Sequence, residues 1–106
     1  MSECLESVKK LVAAGEVRIS EHGYDELAED QIPVRAILDG IDEAVVVEDY
    51  PNFPKGPAVL VLQFDNQHRP IHVVWGIPRG LTTPAVVITA YRPDAGLWTE
   101  DFLERL

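Results

Sequence analysis

The sequence predicts an α+β fold, with two to three N-terminal helices packed on a four-stranded antiparallel sheet and a short C-terminal helix. Two features carry that expectation. Up to about Leu38 the apolar residues recur at helical spacing, whereas from Ala44 onward they come in β-branched runs. Those runs are separated by short segments rich in Pro, Gly, Asn and Asp, and short connections between consecutive strands imply an antiparallel meander.

Leu5, Val8, Leu11 and Val12, with Glu6, Lys9 and Lys10 between them, describe a first amphipathic helix, and Gly15 stands where a C-terminal cap belongs. Val17-Arg18-Ile19 is a short apolar alternation. Ser20 sits at an N-cap position, and Glu21, Asp25 and Glu26 suit the positive end of a helix dipole, so a second helix is expected from about Glu21 to Glu29. Ile32-Pro33 interrupts it, and a third, short helix runs from Pro33 to about Leu38 before Gly40. Ala44 to Tyr50 reads as the first strand, ended by Pro51, and Pro51, Pro54, Gly56 and Pro57 make an extended loop. Ala58 to Phe64 is apolar at nearly every position and is expected to be covered on both faces. After the polar turn Asp65 to Arg69, Pro70 to Ile77 is the next strand; Pro78 to Thr83 turns again, and Ala85 to Arg92 completes the sheet. Trp98 to Leu106 reads as the C-terminal helix, capped by Thr99 or Asp94.

Size and charge narrow the function classes. The 106 residues suit one domain with one core, and 46% hydrophobic with 25% charged residues is a globular rather than a disordered composition. Eighteen acidic against nine basic side chains leave a net charge of −9, a mean field that repels phosphate and argues against DNA. Cys4 stands alone, so neither a disulfide framework nor a cysteine zinc site can be built, and a reducing cytoplasm is the expected location. The N-terminus lacks the pattern of a signal peptide, and no apolar run approaches the roughly 18 residues of a membrane span, so no membrane partner is expected. There is no Gly-rich phosphate loop, no His-Glu-x-x-His and no Gly-x-Ser-x-Gly, and no cofactor or metal is expected. The acidic groups Glu26-Glu29-Asp30 and Asp39-Asp42-Glu43 read as solvated faces.

Four side chains are candidates for chemistry: His22, His72, Tyr91 and Arg92. His22 opens the second helix, where the dipole favours a neutral imidazole able to accept a proton, although a lone histidine there is more often simply exposed. His72 lies inside a strand, and a ring bonded to a neighbouring carbonyl is the commoner role. If His72 pairs with Thr89 or Tyr91 these groups share a face, whereas a slip by one residue brings Arg92 instead. For Arg92 the plain alternative is an ion pair with Asp94 or a helix acid, and for Tyr91 a half-buried ring with a wet hydroxyl. His68, in a polar turn, is read as solvated, and Trp98 as a cap on the core.

Ser20-Glu21-His22-Gly23, Ile32 entering a short helix, His72-Val73-Val74, and Thr89-Ala90-Tyr91-Arg92-Pro93-Asp94 followed by Trp98 together resemble the family called domain of unknown function 4258, over roughly Val17 to Trp98. That family is distantly similar to the BrnT and RelE type toxins, compact α+β proteins of which several cleave RNA without a metal. The resemblance implies a toxin-like, ribonuclease-type scaffold with no cofactor. In it His22 or His72 would be base and acid, Tyr91 an acid or orienting donor, and Arg92 the phosphate ligand. RNA or an antitoxin-like protein would then be the partner. Glu26 and Asp30 depart from this pattern, since basic residues are expected near both positions. The alternative is a non-catalytic module that binds a protein through its acidic surface or forms a homodimer.

Overall fold

A computed structural model of the chain describes residues 2–106. Helix α1 (Glu3–Ala13) starts at Ser2, whose hydroxyl accepts the Leu5 N–H and donates to the Asp49 carboxylate; beyond the last turn Gly15 adopts φ +76°, the left-handed conformation anticipated for it. Strand β1 (Val17–Ile19) leads into α2 (Glu21–Glu29). Ser20 caps α2 by accepting the Gly23 N–H at 2.9 Å, and its own O–H donates to the Ile88 carbonyl, so one side chain both starts the helix and ties it to the sheet. Helix α3 (Val34–Gly40) starts after Pro33 and continues into a single 3₁₀ turn at Ile41–Glu43. Strands β2 (Val45–Tyr50), β3 (Ala58–Phe64), β4 (Pro70–Gly76) and β5 (Ala85–Tyr91) follow as a meander. No helix among the described residues is long and apolar enough to cross a membrane.

The α+β class and the three helices agree with the sequence reading, but two expectations are corrected. The sheet has five strands in the order β1-β5-β4-β3-β2, and β1 runs parallel to β5, so it is mixed rather than a four-stranded antiparallel sheet. Three residues give almost no local strand signal; β1 exists because β5, far along the chain, offers it a ladder partner. The C-terminal helix is absent. Residues 97–106 instead form a small hairpin, joined by Thr99 N–H to the Glu104 carbonyl and Leu106 N–H to the Leu97 carbonyl. Thr99 Oγ1 accepts the Glu104 N–H and donates to Asp101, which in turn accepts the Leu103 N–H. A nine-residue helix is marginal by itself, and these local side-chain bonds favour a turn.

Both faces of the central strands are covered, as the continuous apolar run of β3 implied. On one face Val59, Val61, Ile71, Val73, Trp75 and Val87 pack against Leu5, Val8, Leu27 and Ile37 of the helices. This core holds one polar relay. The Trp75 indole donates to Gln63 Oε1, and Gln63 Nε2 donates to the Ile37 carbonyl midway along α3, which satisfies both buried polar side chains. On the other face Leu60, Leu62 and His72 are buried, and the C-terminal hairpin covers His72, with Trp98 as its apolar anchor.

Gly23 sets how closely α2 approaches the sheet, because a Cβ there would stand 2.8 Å from the Val87 carbonyl oxygen. Gly23→Ala should therefore destabilise the fold by about 2 kcal/mol even though alanine is the better helix former by about 1 kcal/mol. Urea unfolding followed by far-UV circular dichroism measures this.

Candidate functional site

The β4–β5 register places His72 directly opposite Tyr91, with Leu62 of β3 as its neighbour on the other side. The two rings stand edge to face at 5.3 Å between centroids, and His72 Nδ1 lies 3.2 Å from the Tyr91 hydroxyl. Trp98 closes over the imidazole at 4.4 Å, and Nε2 lies 2.9 Å from the Phe102 carbonyl oxygen. A carbonyl only accepts, so Nε2 carries the proton, Nδ1 is the acceptor, and the Tyr91 O–H donates to it. Phe102 holds its carbonyl in place from a backbone at φ +62°, a conformation that a bulky residue rarely adopts.

Above Trp98 lies a second layer. The Arg105 guanidinium sits 4.7 Å from the indole centroid and donates to Glu48 Oε1 at 2.7 Å, and the Tyr50 hydroxyl donates to the same oxygen at 2.8 Å. The Arg105 bond, then that of Tyr50, holds the Glu48 carboxyl below its ordinary range. Burial pulls the His72 pKa below its ordinary value of 6.5, outweighing the Phe102 bond that favours the charged ring. Burial also raises the Tyr91 phenol.

The four sequence candidates do not converge. His72 and Tyr91 meet as described, and His72 has no exposed surface. Arg92 lies at the end of β5, where its guanidinium donates to Asp65 at 2.9 Å and to the Pro70 carbonyl, while its backbone N–H donates to Asp30 at the end of α2. Asp65 is itself enclosed. Burial would raise its carboxyl, but the Arg69 and Gln67 backbone N–H groups and the Arg92 guanidinium hold it low. His22 belongs to the helix layer, on the other side of the sheet from His72. It is 66% exposed and lies 3.6 Å from Glu26. His68 is stacked on Phe64 at 4.6 Å, a contact its turn position did not announce. Sequence reasoning missed Glu48, Phe102 and Arg105, because the last two were assigned to a helix and no local pattern pairs Arg105 with a strand 57 residues away. Among the described residues no cluster of three or more His, Cys, Asp or Glu could hold a metal ion.

The chain belongs to the family described as domain of unknown function (DUF4258), whose model matches residues 19–92. No curated protein and no solved structure matches the chain. The matched stretch holds His22, His72, Tyr91 and Arg92, whereas Trp98, Phe102 and Arg105 lie beyond it.

Because the folded ring resists protonation and the unfolded ring does not, unfolding takes up a proton below pH 6.5. Stability should be level just above that pH and fall as the pH drops from 6.5 toward the lowered folded pKa, by at most about 1.4 kcal/mol per pH unit. His72→Leu should remove this slope, although it lowers stability overall by leaving the Phe102 carbonyl unpaired. Chemical denaturation between pH 5 and pH 8 checks both outcomes.

Proposed function

We propose that this domain is a non-catalytic protein-interaction module. The observation that carries the reading is the state of His72: its proton is given to Phe102, its lone pair is taken by Tyr91, and Trp98 covers the ring. A general base needs a free lone pair within hydrogen-bond reach of the substrate, and a general acid a free proton. His72 offers a substrate neither, and Arg92, neutralised by Asp65, offers no unpaired charge to a phosphate.

Surface charge supports the same reading. Glu100, Asp101 and Glu104 lie exposed on the hairpin above His72, and Glu21, Asp25 and Glu29 are exposed along α2. With a net charge of −9 this surface repels polyanions and attracts lysine- and arginine-bearing proteins, among which a second copy of so acidic a chain does not count.

A second reading rests on the His72–Tyr91 pair at the centre of the sheet. In it the domain is a toxin-like, metal-independent ribonuclease whose base and acid act once the C-terminal hairpin swings aside. One assay separates the two. The protein incubated with RNA in EDTA at low ionic strength should leave the RNA intact, as should His72→Ala. Cleavage by the wild-type chain that is lost in His72→Ala would install the enzymatic reading instead. On the binding side, changing Glu21, Asp25 and Glu29 together to lysine should weaken a purified one-to-one complex at least about tenfold by titration calorimetry.

A further inference from the structure

The two edges of the sheet differ. At the β2 edge the register with β3 shifts between Val46 and Glu48, and the strand then carries Glu48 and Asp49 and ends against Pro51. A bulge, acidic side chains and a proline are the devices that keep an edge from pairing with another chain. The β1 edge has neither a bulge nor a proline, and its one charged residue, Arg18, is a cation.

The backbone of β1 shows which groups are free. The Ala85 N–H donates to the Glu16 carbonyl and the Ser20 N–H donates to the Val87 carbonyl, and the parallel register sets Arg18 opposite Val86. Glu16, Arg18 and Ser20 therefore turn their backbone groups toward β5, and the N–H and C=O of Val17 and Ile19 turn outward. Among the described residues no backbone partner lies on that side.

Beside these groups lies a groove of about 660 Å³. Its floor is Val17 and Ile19, and its walls are Val12 of α1, Tyr24 of α2, and Val34 and Leu38 of α3. Tyr24 is 56% exposed, although the rest of the helix layer buries its large apolar groups well. Arg35 and Asp39 are the charged residues of its wall, whereas Arg18 alternates with Val17 and Ile19 along the strand and so faces the other side of the edge, an exposed cation in a chain of net charge −9. Arg35 is paired with Asp39, and no carboxylate among the described residues lies within ion-pair distance of Arg18.

We infer that β1 is a docking edge for an extended segment of a partner protein, which adds to the sheet as a sixth strand, sets alternate apolar side chains into the groove and places a carboxylate on Arg18. Backbone pairing at Val17 and Ile19 supplies direction, and the groove selects side chains at every second position. Three residues make a short edge. That length suits reversible capture of one strand and is too little to template open-ended assembly. The inference adds to the interaction module proposed above an edge that takes a carboxylate-bearing segment, apart from the acidic faces that take basic side chains, and it rests on that reading.

The test uses the whole chain and a labelled nine-residue peptide alternating valine with threonine, with a glutamate at each end. Fluorescence anisotropy should show saturable binding, and amide exchange should slow at Val17 and Ile19 when the peptide is added. A peptide N-methylated on its pairing edge should bind at least about tenfold more weakly, since each methyl removes a backbone donor. Val17→Pro removes an outward N–H and changes the groove floor while leaving the N–H and C=O groups that face β5 in place, and it should weaken binding several-fold, as should Arg18→Glu.

No binding at millimolar peptide, or equal binding of the N-methylated peptide, would overturn the inference. So would protection of Val17 and Ile19 in concentrated protein alone with a dimeric sedimentation mass, since the occupant would then be a second copy. These failures are separable from failure of the interaction reading. That reading falls if His72-dependent RNA cleavage is found, whereas an inert RNA assay with a silent peptide arm strikes the β1 edge alone.

Discussion

A histidine in the middle of a sheet that is covered on both faces must be neutral and fully hydrogen-bonded, and that requirement shapes the second half of the molecule. His72 sits between Leu62 and Tyr91 with no solvent to bond. An orphaned donor or acceptor there would cost about 1 to 3 kcal/mol. Tyr91 answers one nitrogen from within the sheet, but the other can be reached only from outside it. The C-terminal residues fold as a hairpin that turns the Phe102 carbonyl inward, because a helix over the same stretch would commit most of its carbonyls to its own ladder.

The rest of the hairpin follows from the same contact. Trp98 excludes water from the His72 bonds, and Arg105 clamps the indole from above while paired to Glu48 on the edge strand. Phe102, at φ +62°, accepts a conformation with an energetic cost, which the bond to His72 and the burial of Trp98 offset. At the same end of β5, one residue beyond Tyr91, Arg92 performs a comparable task on a smaller scale. It joins the strand end to Asp65 in the β3–β4 turn and, through its backbone, to Asp30 at the end of α2. Three segments distant in sequence are fixed by one residue whose charge is consumed in doing so.

Much of this fold is legible in the sequence because it is written locally. The Ser20 cap, the break at Pro33, the doubly buried β3 and the turns around the meander each rest on residues within a few positions of one another. The His72 and Tyr91 pairing was one of the registers the alternation allowed, and the structure selects it. What was not legible depends on long-range partners. Val17-Arg18-Ile19 becomes a strand only because β5 lies beside it, and Trp98 to Leu106 has a composition compatible with a helix until the sheet claims Trp98 and Phe102. Arg92 was expected to meet an acid, but the acid is Asp65 in a turn rather than Asp94 or a helix residue, and nothing in the spacing distinguishes them.

Charge completes the picture. Of nine cationic side chains, Arg35, Arg69, Arg92 and Arg105 are held in ion pairs within the fold, and the remainder are scattered rather than lining one groove. A protein that relies on phosphate contacts leaves its cations free, because release of counterions from the nucleic acid supplies most of the affinity. Here arginine serves to staple strands and to cover tryptophan. The stretch that matches the family supplies strands β2 to β5 and all four polar candidates, while Trp98, which covers the His72 ring, and the Phe102 carbonyl at its Nε2 come from residues beyond that stretch. Strands β4 and β5 bring an imidazole and a phenol together, and the C-terminal hairpin turns that pair into part of the core.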